Sequence, residues 1–450
     1  MTQAIRGVIG AGLILGVGAL PAAAQGMALA GVDPVGIARS GVQVAYGYSL
    51  EAATLNPALL VSLKEKGGAY VALGLELSAT AQSLEANQKT YASEDRNRTI
   101  GGFGLAGRLT PRLTLGLKLD EPFARHGILP SNAPSRYLGD GINLSSPRLE
   151  GQVAYAYSPN LSFGLGLGAA RLSYESTSVM RLGVPNSVTG AVDGLVEQRV
   201  GQTGSKVVPS YSLGGRWALN PRWTLGFTHQ SGLKGEIDLR ADFRGTYLGL
   251  SANDGLSAPP VGTEARAAAL LGASQPKAGA NPTLELPSRT TLGVRHRLTP
   301  LLTWEADLHW SPGSTKVPAF ATIQTPTGTV AAPTELPAGE SQLGLGMSAE
   351  MELGKFWTLR GGFTLDQRSV PSSLAEPMLG GSRTANFSFG AGYKTWGGEL
   401  SIGYQYRQGE DQDTNRLVGV WSASGWRNTG ARLRTEGMGH LMAIGFRKMF

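Results

Sequence analysis

The residues of this chain best placed to do chemistry are apolar ones in segments where polar residues would be expected. Between 178 and 204 stand Val179, Met180, Leu182, Val184, Val188, Val192, Leu195 and Val196; between 239 and 286 stand Leu248, Leu250, Leu256, Pro259, Pro260, Val261 and Leu270. Connections that face water are usually polar. Such groups therefore read either as a landing site for a hydrophobic ligand or as packing that closes the connections into a cap. On the first reading the capture residues are Leu182, Val184, Val188, Val192, Leu195, Leu248, Leu250 and Leu256.

Bond-making chemistry finds no such support. Gly102-Phe103-Gly104-Leu105-Ala106-Gly107 matches a dinucleotide fingerprint by letter. Arg108-Leu109-Thr110-Pro111 follows it, however, and that is a turn rather than the helix whose N-terminus would meet a phosphate. His126, His229, His296, His309 and His440 are dispersed without metal-ligand spacing, and no G-x-S-x-G elbow is present. Glu94-Asp95 and Glu410-Asp411 fall in segments that read as solvated loops. The sequence points to neither an enzyme, a metal nor a cofactor.

The elements that must position these residues are strands. A short phrase returns six times between runs of alternating residues: Leu109-Thr110-Pro111-Arg112-Leu113, Ser158-Pro159-Asn160-Leu161, Asn220-Pro221-Arg222-Trp223, Thr299-Pro300-Leu301-Leu302, Gly354-Lys355-Phe356-Trp357 and Lys394-Thr395-Trp396-Gly397-Gly398. Pro presets φ for a tight turn and cannot donate to a sheet ladder, so the Pro-bearing phrases read as hairpin turns. Around them Leu113, Leu115, Leu117 and Leu119 alternate with Thr114, Gly116 and Lys118; Phe163, Leu165 and Leu167 alternate with Gly164, Gly166 and Gly168. That is apolar on one face and small or polar on the other. Short turns on one side and long connections on the other predict an all-β fold, a transmembrane antiparallel β-barrel. With both barrel ends on the short-turn side, six turns imply about 14 strands and about seven outer loops. The loops are expected at 81–98, 123–148, 178–204, 239–286, 313–339, 368–382 and 409–437, with a short helix over Thr263 to Leu271. Trp217, Trp223, Trp304, Trp357 and Trp396 lie beside turns, as an aromatic girdle at one membrane interface would.

Composition agrees. Of 450 residues 41% are hydrophobic, only 16% are charged and 64 are Gly. The mean hydropathy of −0.08 is far too polar for a helical membrane protein. Residues 1–24 read as a secretory signal, with Arg6, an apolar run from Val8 to Leu20, and cleavage near Ala24. With no Cys, an exported chain has neither a disulfide scaffold nor a thiolate metal site. The net charge of +7 fits lipid phosphates beside the strand ends, and no basic run with interleaved aromatics suggests nucleic acid. Residues 25–67 do not alternate and are expected to form an N-terminal plug (hatch) in the lumen of a barrel spanning 68–450.

Several phrases resemble the FadL-type transporters of long-chain fatty acids and hydrocarbons in the bacterial outer membrane. They are Ser40-Gly41-Val42-Gln43-Val44-Ala45-Tyr46-Gly47, Ala52-Ala53-Thr54-Leu55-Asn56-Pro57-Ala58, Leu286-Pro287-Ser288-Arg289-Thr290-Thr291-Leu292-Gly293, Thr303-Trp304-Glu305-Ala306-Asp307, and Arg360-Gly361-Gly362-Phe363 with Asp366-Gln367 and Val370-Pro371. On its residues alone Asn56-Pro57 is an ordinary turn signal. The resemblance makes Asn56, Pro57 and Ala58 the motif that ends the plug. It also implies loop capture, passage through a plugged barrel, and lateral release through a wall opening, for which Pro122 and Phe123 are the candidates. Ala124 departs from the Gly that the family often carries there. The chain's end, Ile444 to Phe450, resembles the signal read by the barrel assembly machinery. The implied partners are that machinery, outer-membrane lipid and lipopolysaccharide, and a hydrophobic small molecule, with the protein a monomer. A general diffusion porin is the alternative reading.

Overall fold

The computed structural model describes residues 33–46, 50–63, 65–84, 89–92, 98–128, 141–185, 192–249, 262–273, 279–312, 316–325, 328–337, 341–367, 383–395, 397–409, 412–414, 419–422, 425–428 and 433–450. The expected signal segment lies outside them.

Alternation in the sequence becomes a closed antiparallel barrel of 14 strands. In chain order these are β1 (Gly67–Leu84), β2 (Arg98–Thr110), β3 (Leu113–Asp120), β4 (Arg148–Ala156), β5 (Leu161–Pro185), β6 (Val192–Ala218) and β7 (Trp223–Gln230). The second half comprises β8 (Arg289–Arg297), β9 (Leu302–Ser311), β10 (Gln342–Leu353), β11 (Trp357–Asp366), β12 (Thr384–Thr395), β13 (Gly398–Gly409) and β14 (Leu433–Met449). Each strand pairs with the next, and β14 returns to β1 from Gly68↔Met449 to Leu84↔Leu433, which closes the ladder on itself. Val71, Leu73, Phe163, Leu165 and Leu167 are exposed on the outer face, whereas Ala72, Ser162 and Ser212 are buried on the inner one.

The short turns share a side-chain mechanism. The residue before each Pro offers one oxygen to two backbone donors. Thr110 accepts from Arg112 and Leu113 at 3.3 and 3.0 Å; Asn220 accepts from Arg222 and Trp223 at 2.9 Å; Thr299 accepts from Leu301 and Leu302 at 3.2 and 3.0 Å. Ser158 does the same for Asn160 and Leu161. The two turns without Pro instead use Gly at positive φ, +68° at Gly354 and +71° at Gly397. Outside this rim Trp223 stacks on His296 at 4.1 Å, and Trp304 Nε1 donates to His296 Nδ1 at 3.1 Å.

On the opposite side the expected loops are corrected. Much of 178–204 is strand, because β5 and β6 stay paired up to Val184↔Gly194. Residues Ala124–Ile128 pair with Gly141–Ser145 inside the expected second loop. Leu239–Gly249 pairs with β6 inside the fourth. Lys316–Thr325 pairs with Gly328–Pro337 inside the fifth. Alternation reports pairing, not the edge of the bilayer, so antiparallel ladders continue into water wherever a partner strand is available. The helix in the fourth connection is present as Thr263–Ala273.

Candidate functional site

The N-terminal segment forms three short helical turns that lie against the inner faces of the strands. The α-helix α1 spans Pro34–Ala38, and 3₁₀ turns cover Ala52–Thr54 and Pro57–Ser62. Asp33 starts α1 by accepting from Gly36 N at 2.6 Å, and Pro34 stands at its first position. Ser40 and Gly41 then reverse the chain at positive φ. Val35, Ile37, Leu59 and Leu60 are fully buried, each contributing roughly 1.5–3 kcal/mol of apolar burial.

Asn56 holds two parts of the segment and the wall together. Its Oδ1 accepts from Ala58 N at 3.1 Å, capping the 3₁₀ turn. Its Nδ2 donates to Val44 O at 2.7 Å and to Gly215 O of β6 at 3.1 Å. Pro57 supplies the fixed φ of the following turn. Ser162 of β5 donates to Ala58 O, and Thr228 of β7 donates to Leu55 O at 2.8 Å. Such close approach requires glycine on the wall. A Cβ on Gly164 would collide with the Pro57-Ala58 backbone, and one on Gly214 with Asn56 Oδ1.

Across the lumen the contacts are ionic. Arg39 and Glu305 are both fully buried and meet at 2.9 Å, with Arg39 stacked over the Tyr46 ring at 4.3 Å. Glu305 Oε1 also accepts from Ala45 N at 2.6 Å, and Asp307 accepts from Val44 N at 3.3 Å. Tyr46 donates to Glu350, which Arg360 also binds at 2.8 Å. Arg360 reaches on to Glu399, and Arg447 joins Glu399 to Glu51 of the segment at 2.6 and 2.7 Å. The charged groups come from β9, β10, β11, β13 and β14; Glu305, Asp307 and Arg360 stand in phrases that carry the family resemblance, but their pairing with one another and with the segment is not local. The sequence signal that does betray it is charge at inward positions of otherwise plain strands: Glu305, Asp307, Glu350, Arg360, Glu399 and Arg447.

Asp33 differs from these paired groups. Burial, reinforced by nearby Glu51, pushes its carboxyl from 3.8 up to about 7. Among the described residues its Oδ2 has no hydrogen-bond partner.

The wall candidates Pro122 and Phe123 stand where β3 leaves the ladder. Pairing of β2 with β3 ends at Phe103↔Leu119, and pairing of β3 with β4 ends at Asp120↔Arg148. Beyond Glu121-Pro122, Ala124–Ile128 joins Gly141–Ser145 instead of β2. Buried Phe123 donates to Ser146 Oγ at 2.9 Å and accepts from it at 2.6 Å. Arg98 of β2 pairs with Glu121 across the departure. Below it Arg148 and Lys118 bind Asp120 at 2.6 and 3.4 Å and Glu150 at 3.8 and 3.2 Å. Ala124 shares a buried cluster with Ile37 of α1, Ile100, Leu441 and Ala443.

Of the capture candidates, Val184 is fully buried, as are Val196 and Val200 of β6. Leu182, Val192, Leu195 and Leu248 belong to strand backbone, but their side chains lie outside the described part of the chain, as do Val188, Leu250 and Leu256 altogether.

The architecture is similar to the crystal structure of a Pseudomonas aeruginosa FadL homologue, at TM-score 0.72 and 16% identity, covering 95% of this chain and 100% of that one. It is also similar to the Pseudomonas putida toluene transporter TodX, at TM-score 0.61 and 14% identity over 94% and 99% of the two chains. The Ralstonia pickettii toluene transporter TbuX gives TM-score 0.58 and 16% identity over 94% and 99%. At such identities the likeness is one of fold. No curated protein matches the chain by sequence. The family model described as outer membrane protein transport protein (OMPP1/FadL/TodX) matches residues 15–450, and the chain belongs to that family.

Proposed function

We propose that this protein takes up long-chain fatty acids or hydrocarbons and releases them sideways into the outer membrane, with residues 25–67 as its plug. Relatives named as toluene transporters share its fold, which brings small aromatic hydrocarbons into the same ligand class. The observation that carries the reading is the departure of the chain from β3 at Glu121-Pro122, beside a lumen crossed by the N-terminal segment.

An apolar ligand cannot replace the hydrogen bonds and ion pairs that tie this segment to the wall, so the straight path is the costly one. A sideways path ends in hydrocarbon and gains roughly 25 cal/mol for each Å² of apolar surface removed from water. Pro122 withholds a ladder donor at the point where a wall opening needs unpaired backbone. Ala124 packs against Ile37 of α1, so a shift of α1 would alter the opening directly.

The test is a reversible staple. The chain has no Cys, so Ile100→Cys with Ala124→Cys introduces a single pair between β2 and the displaced segment. In cells lacking other uptake routes, entry of labelled oleate or toluene should fall on oxidation and recover on reduction. Uptake that is indifferent to the staple overturns lateral release. Failure of the unmodified protein to take up either compound overturns the ligand class.

A further inference from the structure

The outer wall carries a polar hollow that the passage does not use. Four strand segments lie side by side here: Gly141–Ser145, β5, β6 and Leu239–Gly249. On their lumen side Leu144, Tyr174 and Leu239 are buried. The opposite, outward side presents two rows. Ser145, Ser173 and Ser205 form one, and Asn143, Glu175, Thr203 and Arg240 form the other. With Tyr174 and Gly204 between the rows they line a cavity of about 550 Å³ that has Asp238 at its side. Asn143 Nδ2 approaches Glu175 Oε2 at 3.5 Å, which orients the two side chains toward it.

Height on the barrel decides what could fill the hollow. On these same strands the lipid-facing residues include Leu167 at 62% and Val207 at 64% exposure, and Arg171 lies level with Val207 as its register partner. The serine row comes next, at the level where hydrocarbon gives way to headgroups. Above it Arg199 pairs with Arg244, which binds Asp242 at 2.9 Å. Among the described residues the outward face carries arginines (Arg171, Arg199, Arg240 and Arg244) interspersed with carboxylates (Glu175, Glu197, Asp238 and Asp242), and the hollow itself is lined by Arg240 beside Glu175 and Asp238. Ligand pockets are generally lined by apolar side chains, whereas this one is lined by hydroxyl, amide and charged groups. Arginine offers a planar fork to phosphate, while carboxylates and hydroxyls accept from and donate to sugar hydroxyls.

We propose that this hollow is a docking site for the phosphorylated sugar headgroup of an outer-leaflet glycolipid, with Arg240 on the phosphate and Glu175, Thr203 and the serine row on the sugar. The site is outside the lumen, so it stands or falls independently of the transport reading.

Detergent-purified protein would be titrated with rough-type lipopolysaccharide, phosphatidylglycerol or glucosamine 1-phosphate and followed by native mass spectrometry. Arg240→Glu should weaken lipopolysaccharide retention about tenfold or more, and so should Thr203→Leu, which fills the hollow. Lys355→Glu, on the opposite rim, should not. Heat-modifiable gel mobility establishes that each variant is folded. Unchanged lipopolysaccharide binding by both hollow variants overturns the proposal, as does a parallel loss of phosphatidylglycerol. Equally tight binding of free glucosamine 1-phosphate would assign the hollow to a soluble sugar phosphate and overturn the lipid assignment.

Discussion

Asp33 is a residue at which proton concentration acts on the N-terminal segment. Its carboxyl caps α1 through one oxygen and leaves the other without a partner among the described residues, in a buried place near Glu51. The docked segment therefore favours the neutral form, whose value of about 7 stands above the ordinary 3.8. By linkage the docked state binds more protons across that window. Its stabilisation is complete below 3.8 and is lost as pH rises through about 7. Asp33→Asn keeps a neutral capping oxygen and removes the titration. Hydrogen exchange over residues 33–46 should thus accelerate with pH beyond its intrinsic rate in the unmodified protein and follow only the intrinsic rate in the variant. Matching profiles would remove Asp33 from any role in docking.

At the scale of elements, the latch between the segment and β9 is the Arg39–Glu305 pair, with neither side chain exposed. Arg39→Ala strands Glu305 in the interior and should weaken docking by about 3–5 kcal/mol. Arg39→Met with Glu305→Leu should recover much of that loss, because removing both charges removes the desolvation cost. Protease sensitivity of the segment distinguishes the two; sensitivity in Arg39→Ala equal to that of the unmodified protein would mean that the pair holds nothing. The same pair shows what sequence can carry. Strands and turns were legible because their information is local: period-two alternation, and a Ser, Thr or Asn before Pro whose oxygen serves the next donors. The partners Arg39 and Glu305 lie 266 positions apart, and only closure of the barrel brings them together. The glycines of β5 and β6 read as small inward residues. That Gly164 and Gly214 make room for the backbone at Asn56-Pro57-Ala58 emerges only once the segment is in place. The outer connections misled for a related reason, since Val184 and Val196 look like exposed apolar loop residues but lie buried on a hairpin that outruns the barrel.

For the whole molecule the decisive contrast is with a porin, whose open lumen this barrel would have if the N-terminal segment were removed. Glu305, Asp307, Glu350, Arg360, Glu399 and Arg447 would then line a charged, water-accessible channel instead of pairing with Arg39, Tyr46 and Glu51. Deleting residues 26–60 while keeping residues 1–25 should leave the barrel closed on itself, because β1 to β14 pair without using that segment. Small-solute leakage should rise, and planar-bilayer recordings should pass from little steady current to a large ohmic conductance. Partial occupation of the lumen by acidic and basic groups together predicts weak ion selectivity in the deleted form. An unmodified protein that already conducts as strongly as the deletion would make the segment a lining of an open pore and return the balance to the porin. A closed unmodified protein that leaks once residues 26–60 are gone assigns the barrier to the segment, and leaves lateral exit as the route compatible with an apolar cargo.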